Sequence, residues 1–325
     1  MITSLFEQLR PADVFAAAAR IEGITRRTRL LRSTKLSQIA GGDVFLKLEN
    51  EQITGSFKLR GAFNAIASLP PEVRARGVIA SSAGNHGLGV AYAAHHLGIP
   101  ATVYVPVDAP RVKRQGMADL GATVDSTQPD YDAAMVAAKA HAASAGAEYI
   151  NPCLGDMVLA GQGTVALEIM QALPDVASIV VNVGGGGLLG GIANFVRRVA
   201  PHVRIAGAQS VNTAAVARSL EASRVVEIES VPTLADGLAG QIDEFALDIA
   251  QHGLDEMVTV TEEEIGRAIV WLDAQEGVRA EGAAACATAA VLFRRLAELA
   301  TPAVVIVSGG NIDGERLEGL KQRYG

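Results

Sequence analysis

The sequence predicts an α/β fold built on open, mostly parallel twisted sheets with flanking helices. Three observations carry that expectation. Apolar runs of strand length alternate with longer helical stretches along most of the chain. Two of those runs pass through glycine-marked turns, at 84–87 and 184–187, straight into a helical stretch. The length of 325 residues has room for two such strand–helix units.

In chain order, buried strands are expected at 44–48, 77–80, 101–105, 179–183, 203–208 and 303–307. Between them, helices are expected over 57–69, 87–97, 111–120, 131–143, 161–173 and 188–200. Asp130 is a candidate N-cap and Gly98 a candidate C-terminal stop. A strand followed by a helix and another strand is most simply a right-handed crossover between parallel strands. No internal repeat, low-complexity tract or heptad array interrupts the pattern.

Composition removes several function classes. Lys plus Arg number 28 against 35 Asp plus Glu, a formal net charge of −7, which disfavours the nucleic-acid backbone as a partner. Cys153 and Cys286 lie far apart without metal-ligand spacing and read as buried thiols in a reducing compartment. The N-terminal ten residues carry Glu7 and no long apolar core, so no signal peptide is expected. The uncharged stretch 176–196 contains Asn182, Asn194 and glycines at 184–187, 190 and 191, and fits a strand, a tight loop and a helix better than a membrane span. A cytoplasmic protein without membrane partners is expected.

Four segments have the residue types for chemistry. Strand 179–183 runs into Gly184, Gly185, Gly186 and Gly187 and then a helix, where free N–H groups and the helix dipole suit an anion. Gly185, Gly187 and Gly190 also meet the dinucleotide spacing, but Gln209 stands where an acidic ribose partner is needed, and no Gly-Lys-Ser/Thr follows. Close strand–helix packing is the alternative to a phosphate site. The loop Ser81-Ser82-Ala83-Gly84-Asn85-His86-Gly87 gathers hydroxyls, an amide and backbone donors suited to a carboxylate, though such clusters also form ordinary turns. Lys58, in Thr54-Gly55-Ser56-Phe57-Lys58-Leu59-Arg60-Gly61-Ala62, is either a solvated side chain or an imine-forming amine. Strand 303–307 ends in Ser308-Gly309-Gly310-Asn311, at the strand end where α/β folds bind ligands.

Taken together and in this order, the four segments resemble the fold-type II pyridoxal-phosphate enzymes, in the threonine/serine dehydratase and serine racemase group. The resemblance runs from about Leu36 to Asn311 and is most specific in the Ser-Phe-Lys-x-Arg-Gly-Ala string. It implies a tryptophan synthase β-like architecture: a large cofactor-binding domain of 1–52 and 147–325, and a small substrate-gating domain of 53–146. It implies that Lys58 holds pyridoxal 5′-phosphate as a Schiff base and later acts as the base at Cα. Phe57 would pack beside the ring, Asn85 would meet its phenolic oxygen, and Ser308 its pyridine nitrogen. Gly184, Gly185, Gly186 and Gly187 would bind the phosphate. Ser82, Ala83, Asn85 and His86 would grip the substrate carboxylate. A neutral Ser308 would make the ring a weaker electron sink and favour loss of a β-substituent.

The implied reaction is β-elimination from a small hydroxy amino acid such as L-threonine or L-serine, giving a 2-oxo acid and ammonia. Ala83 stands where racemases of the group carry an acid–base serine, which disfavours racemisation. Gln209, Thr213 and Ala215 stand at the group's divalent-cation positions, so no metal site of that type is expected. Leu234-Ala235-Asp236-Gly237-Leu238-Ala239-Gly240 is similar to dehydratases assigned to hydroxyectoine breakdown, which keeps that route and 3-hydroxyaspartate open. Asn151-Pro152-Cys153 replaces the His-Pro-Phe of the family. Racemisation, β-replacement and an inert ligand-binding protein on this fold are the other readings. The family implies a homodimer, and a chain ending soon after Ser308 implies no isoleucine-sensing domain. Glu262, Glu263 and Glu264 read as a solvated first helical turn, and the family places a glutamate at Glu281 near the cofactor ring.

Overall fold

The computed structural model describes residues 9–229 and 231–325, so the leader reading of the first ten residues falls almost wholly outside it. Its strands are β1 (Leu30–Arg32), β2 (Val44–Leu48), β3 (Val78–Ser81), β4 (Ala101–Pro106), β5 (Thr123–Gln128), β6 (Glu148–Tyr149), β7 (Ser178–Asn182), β8 (Arg204–Ser210), β9 (Glu256–Val260) and β10 (Ala303–Val307). They form a six-stranded sheet, ordered β1-β2-β10-β7-β8-β9, and a four-stranded sheet, ordered β5-β4-β3-β6. Every pairing is parallel except that of β1 with β2. This is the α/β class expected, with two mostly parallel sheets. Strand β6 lies just past residue 146, where the smaller unit was expected to end.

Strands β7 and β10 are buried at every residue, as strands covered on both faces must be. Their side chains alternate between two cores. Ile179, Val181, Val304 and Ile306 enter the core on one face, and Val180, Val305 and Val307 the core on the other. A third core, including Leu59, Ala80, Val90 and Val103, joins the four-stranded sheet to the helices Lys58–Ser68 and Asn85–Leu97.

The helix Asp156–Ala172 starts five residues before the expected 161. Gly161 looks like a helix start in sequence but sits inside the helix. A Cβ there would stand 2.6 Å from Gly61 Cα. The glycine pair therefore lets two helices touch backbone to backbone, and the Gly61 N–H donates to Gln162 Oε1 at 3.2 Å.

A buried ionic cluster fixes the same junction. Arg60 and Glu49 are fully buried and Lys47 nearly so. Arg60 binds Glu49 through Nε–Oε2 at 2.8 Å and Nη2–Oε1 at 2.9 Å, and its Nη1 reaches Glu168 Oε1 at 2.7 Å. Lys47 Nζ donates to the Thr28 carbonyl at 2.8 Å and also pairs with Glu168. Burial alone would lower the Arg60 pKa, but the two carboxylates outweigh it and raise it. The start of the helix that carries Lys58 is thus tied to β2 and to the helix Asp156–Ala172.

Two readings of single residues change. Glu262 and Glu264 are not a solvated turn. Glu262 accepts from Ser210, from Thr233 Oγ1 at 2.7 Å and from the Leu234 N–H, while Glu264 completes a capping box with Thr261 and pairs with Arg295. Only Glu263 stays on the surface, paired with Arg267. Cys286 is buried as expected, but Cys153 is half-buried, because its turn lines a cleft. Among the described residues, no helix is long and apolar enough to cross a membrane.

Candidate active site

The carboxyl ends of β3, β7 and β10 converge on the helix start that carries Lys58. Phe57 lies immediately before the helix Lys58–Ser68, and its N–H donates to the Ser308 carbonyl at 3.1 Å. Ser56 and Gly309 form an antiparallel bridge, and the Gly310 N–H donates to the Gly55 carbonyl at 2.9 Å. Gly55 has φ +74°, and any side chain there would strike Asn311. The lysine segment and the Ser-Gly-Gly-Asn segment are therefore laced together through their backbones.

Side chains complete the lacing. Asn311 Nδ2 donates to the Thr54 carbonyl at 2.9 Å and to Asn85 Oδ1 at 2.7 Å. Asn85 Nδ2 in turn donates to Glu281 Oε1 at 2.6 Å, and the Glu281 N–H donates to the Gly309 carbonyl at 3.1 Å. Burial pushes the Glu281 carboxyl up to about 7, the Asn85 donor opposing it. Ser308 is buried, with Asn182 Nδ2 3.4 Å from its hydroxyl.

Lys58 Nζ donates to the Pro152 carbonyl at 2.8 Å, lies 3.9 Å from Cys153 Sγ, and is 5.2 Å from the centre of the Phe57 ring. Cys153 is also the neighbour of the glycine loop. A Cβ on Gly185 would fall 2.9 Å from its sulfur, and one on Gly187 3.0 Å from its Cα. On the other side, a Cβ on Gly184 would be 3.1 Å from Leu238 Cα. Gly186 caps the helix Gly187–Val199 with φ +85°. The loop is thus a side-chain-free cradle at the start of a helix of 13 residues, walled by Cys153 and Leu238, and the Lys58 amine touches one wall. An amine and an anion cradle meeting at one residue fit pyridoxal phosphate.

The second loop precedes the helix Asn85–Leu97. The N–H groups of its first turn have no partner within the helix, as at any helix start. His86 is 2% exposed, with Nε2 2.8 Å from the Ile150 carbonyl. Burial and the Lys58 charge lower its pKa to about 3, so the ring is neutral and committed to the interior. It is the backbone at His86, rather than its ring, that is left for a ligand.

At the positions compared with a cation site, Gln209 Oε1 accepts from the Ala217 N–H at 3.2 Å. Gln209 Nε2 and Thr213 Oγ1 are buried without a hydrogen-bond partner. Among the described residues no group of three His, Cys, Asp or Glu side chains is placed to hold a metal.

Sequence reasoning did not find the contact between Ser81 and Tyr149 beside this cleft. It treated Cys153 only as a thiol and as a departure from the family. Their signal lies in three dimensions: β6 is two residues long and pairs with β3, which brings Tyr149 to Ser81.

A family profile described as "Pyridoxal-phosphate dependent enzyme" matches residues 21–309. An L-threonine ammonia-lyase of Thermotoga maritima is 44% identical over 302 residues, covering 93% of this chain and 75% of that protein. A catabolic L-threonine dehydratase of Staphylococcus aureus is 40% identical over 313 residues, 95% of this chain and 90% of the other. Among solved structures, maize serine racemase superposes with a TM-score of 0.91 at 30% identity, covering 97% of this chain and 98% of its own.

Proposed function

This chain belongs to the pyridoxal-phosphate-dependent enzymes, and from that premise we propose that it is an ammonia-lyase. It would remove the β-hydroxyl of a small hydroxy amino acid such as L-threonine or L-serine, releasing a 2-oxo acid and ammonia. The observation that carries the reaction type is the pairing of Lys58 at the glycine cradle with Ala83 in the carboxylate loop. A racemase shares the fold, so the fold alone does not choose the chemistry.

Bound pyridoxal phosphate supplies an electron sink that makes the Cα proton labile. Gly184, Gly185, Gly186 and Gly187 hold its phosphate with N–H donors and the dipole of the helix Gly187–Val199. Phe57, whose backbone is tied to Ser308, flanks the ring, and Asn85, oriented by Glu281 and Asn311, takes its phenolic oxygen. Ser308 presents a neutral hydroxyl to the ring nitrogen. Ser82, the backbone at Ala83, and Asn85 and His86 at the helix start receive the substrate carboxylate. Lys58, released from the Pro152 carbonyl, takes the Cα proton from its own face. Ala83 offers no proton to the opposite face, so the configuration is not rebuilt and elimination goes forward. The enzyme acts as a homodimer in cytoplasmic amino-acid catabolism.

The test is 2-oxo-acid release by purified protein from L-threonine, L-serine and 3-hydroxyaspartate, with enantiomers followed in parallel. Oxo acid without enantiomer exchange supports the lyase. Exchange without oxo acid replaces it with a racemase.

A further inference from the structure

The helix Arg111–Asp119 is charged against its own dipole, and the elimination just described makes no use of it. Its first turn holds Arg111 and Lys113 and no acidic residue, and its last residue is Asp119. A helix start favours negative charge and a helix end positive charge, so both ends are placed unfavourably. A local rule broken without a structural gain marks a functional site.

Arg111, Arg114, Gln115 and Ala118 follow the i, i+3, i+4, i+7 spacing of one helix face. That face meets β5, where Val124 and Ser126 alternate onto one side of the sheet. Together these side chains line a recess of about 290 Å³, close to the smallest small-molecule sites at about 300 Å³. Arg114 Nη1 donates to Ser126 Oγ at 3.1 Å. Its Nε is shielded from solvent and, among the described residues, has no hydrogen-bond partner. A buried donor without an acceptor is costly, and an anion in the recess would satisfy it.

Among the described residues neither Arg111 nor Arg114 forms an ion pair with a carboxylate. The nearby acids are engaged or turned away. Asp119 Oδ1 accepts from Gln115 Nε2 at 2.7 Å. Asp125, between Val124 and Ser126, lies on the opposite face of the strand and accepts from Thr127 Oγ1 at 2.7 Å. Asp108, in the turn before the helix, does not line the recess. The guanidinium forks match phosphate oxygens, whereas Ala118 and Val124 suit a short carbon skeleton.

The other face of the same helix backs the loop proposed to receive the substrate carboxylate. Met117 is fully buried, and a Cβ on Gly87 would fall 2.6 Å from its sulfur. A Cβ on Gly116 would fall 3.3 Å from Leu88 Cδ2. Gly87 and Leu88 directly follow Asn85 and His86, so the helix and that loop can shift only together. An anion that neutralises the arginines steadies the helix start, and with it the donors behind which the helix is packed.

We propose that the recess between the helix Arg111–Asp119 and β5 binds a small phosphate monoester, and that its occupation strengthens substrate binding. The effect on substrate rests on the lyase reading above; the binding itself does not.

Glycerol 3-phosphate is the probe, titrated by calorimetry at constant ionic strength into holoenzyme freed of excess cofactor. Saturable binding is expected, weakened by about tenfold in Arg111→Gln and in Arg114→Gln. With probe at saturation, KM for L-threonine in 2-oxo-acid release should fall by about fivefold, kcat changing little. Both variants should lose that response while keeping the wild-type KM measured without probe. The visible band of the bound cofactor reports that each variant is folded and loaded, and Arg111 is exposed, so its replacement leaves the core untouched. No saturable binding, or equal binding in loaded variants, overturns the site. Equal heat from glycerol alone overturns the role of the phosphate. Binding with KM unmoved or raised overturns the coupling to substrate. Absence of oxo acid from L-threonine, L-serine and 3-hydroxyaspartate alike, with binding intact, overturns the lyase reading and leaves the site standing.

Discussion

Arg60 and Glu49 form a two-pronged ion pair in which neither side chain is reached by solvent, two residues beyond the lysine of the site. Removing one partner strands the other charge in the interior. Arg60→Ala is expected to destabilise the fold by about 3–5 kcal/mol. Arg60→Lys keeps the charge but not the fork, and is expected to lose less. Urea unfolding midpoints of both variants measure this.

Lys58→Ala is expected to abolish the visible band of bound pyridoxal phosphate. Oxo-acid release should fall by roughly 10²–10⁴-fold or more, the range for loss of a positioned acid–base group. Melting temperature should change little, because the Lys58 head is bonded to one backbone carbonyl and is not part of the buried ionic cluster. Persistence of the band would move the cofactor to another lysine.

Gly186→Ala tests the cradle. The position has φ +85°, where a Cβ costs roughly 1–2 kcal/mol. Relief of that strain would turn the loop's N–H groups away from the phosphate. Titrating cofactor into the variant should show affinity weakened by about tenfold.

Glu281 makes stability depend on pH. Its carboxyl is pushed up to about 7, chiefly by burial, so the folded chain holds the proton more tightly than the unfolded one. Its contribution is full below the unfolded value near 4.3 and is lost as pH rises through about 7, by on the order of 3 kcal/mol. Denaturation of the cofactor-free chain at about pH 5 and about pH 8 should show this loss, and Glu281→Gln should remove most of it.

The elements that sequence made legible are those whose burial writes a pattern. Strands 44–48 and 303–307 were bounded correctly because both faces are covered and the runs are nearly all apolar. Strand β5, reading TVDSTQ, lies at a sheet edge with exposed positions and gives no such run. Lys58 and the glycine loop stood out through the Ser-Phe-Lys-x-Arg-Gly-Ala string and the strand–loop–helix order, and the structure brings the Lys58 amine to Cys153, which walls that loop. The contact of Tyr149 with Ser81 was not legible, because it comes from a two-residue strand pairing with β3, and pairing of distant segments leaves no local trace.

Strand β10, which ends at Ser308, lies between β2 and β7 in the six-stranded sheet although it comes last of the strands in the chain. During synthesis, β1 with β2 and β7 with β8 and β9 can each form, but they face one another across an empty slot. Both open edges stay available to other nascent chains until residues 303–307 leave the ribosome. Translation arrested before that point should therefore yield insoluble, cofactor-free chains rather than a partly active enzyme.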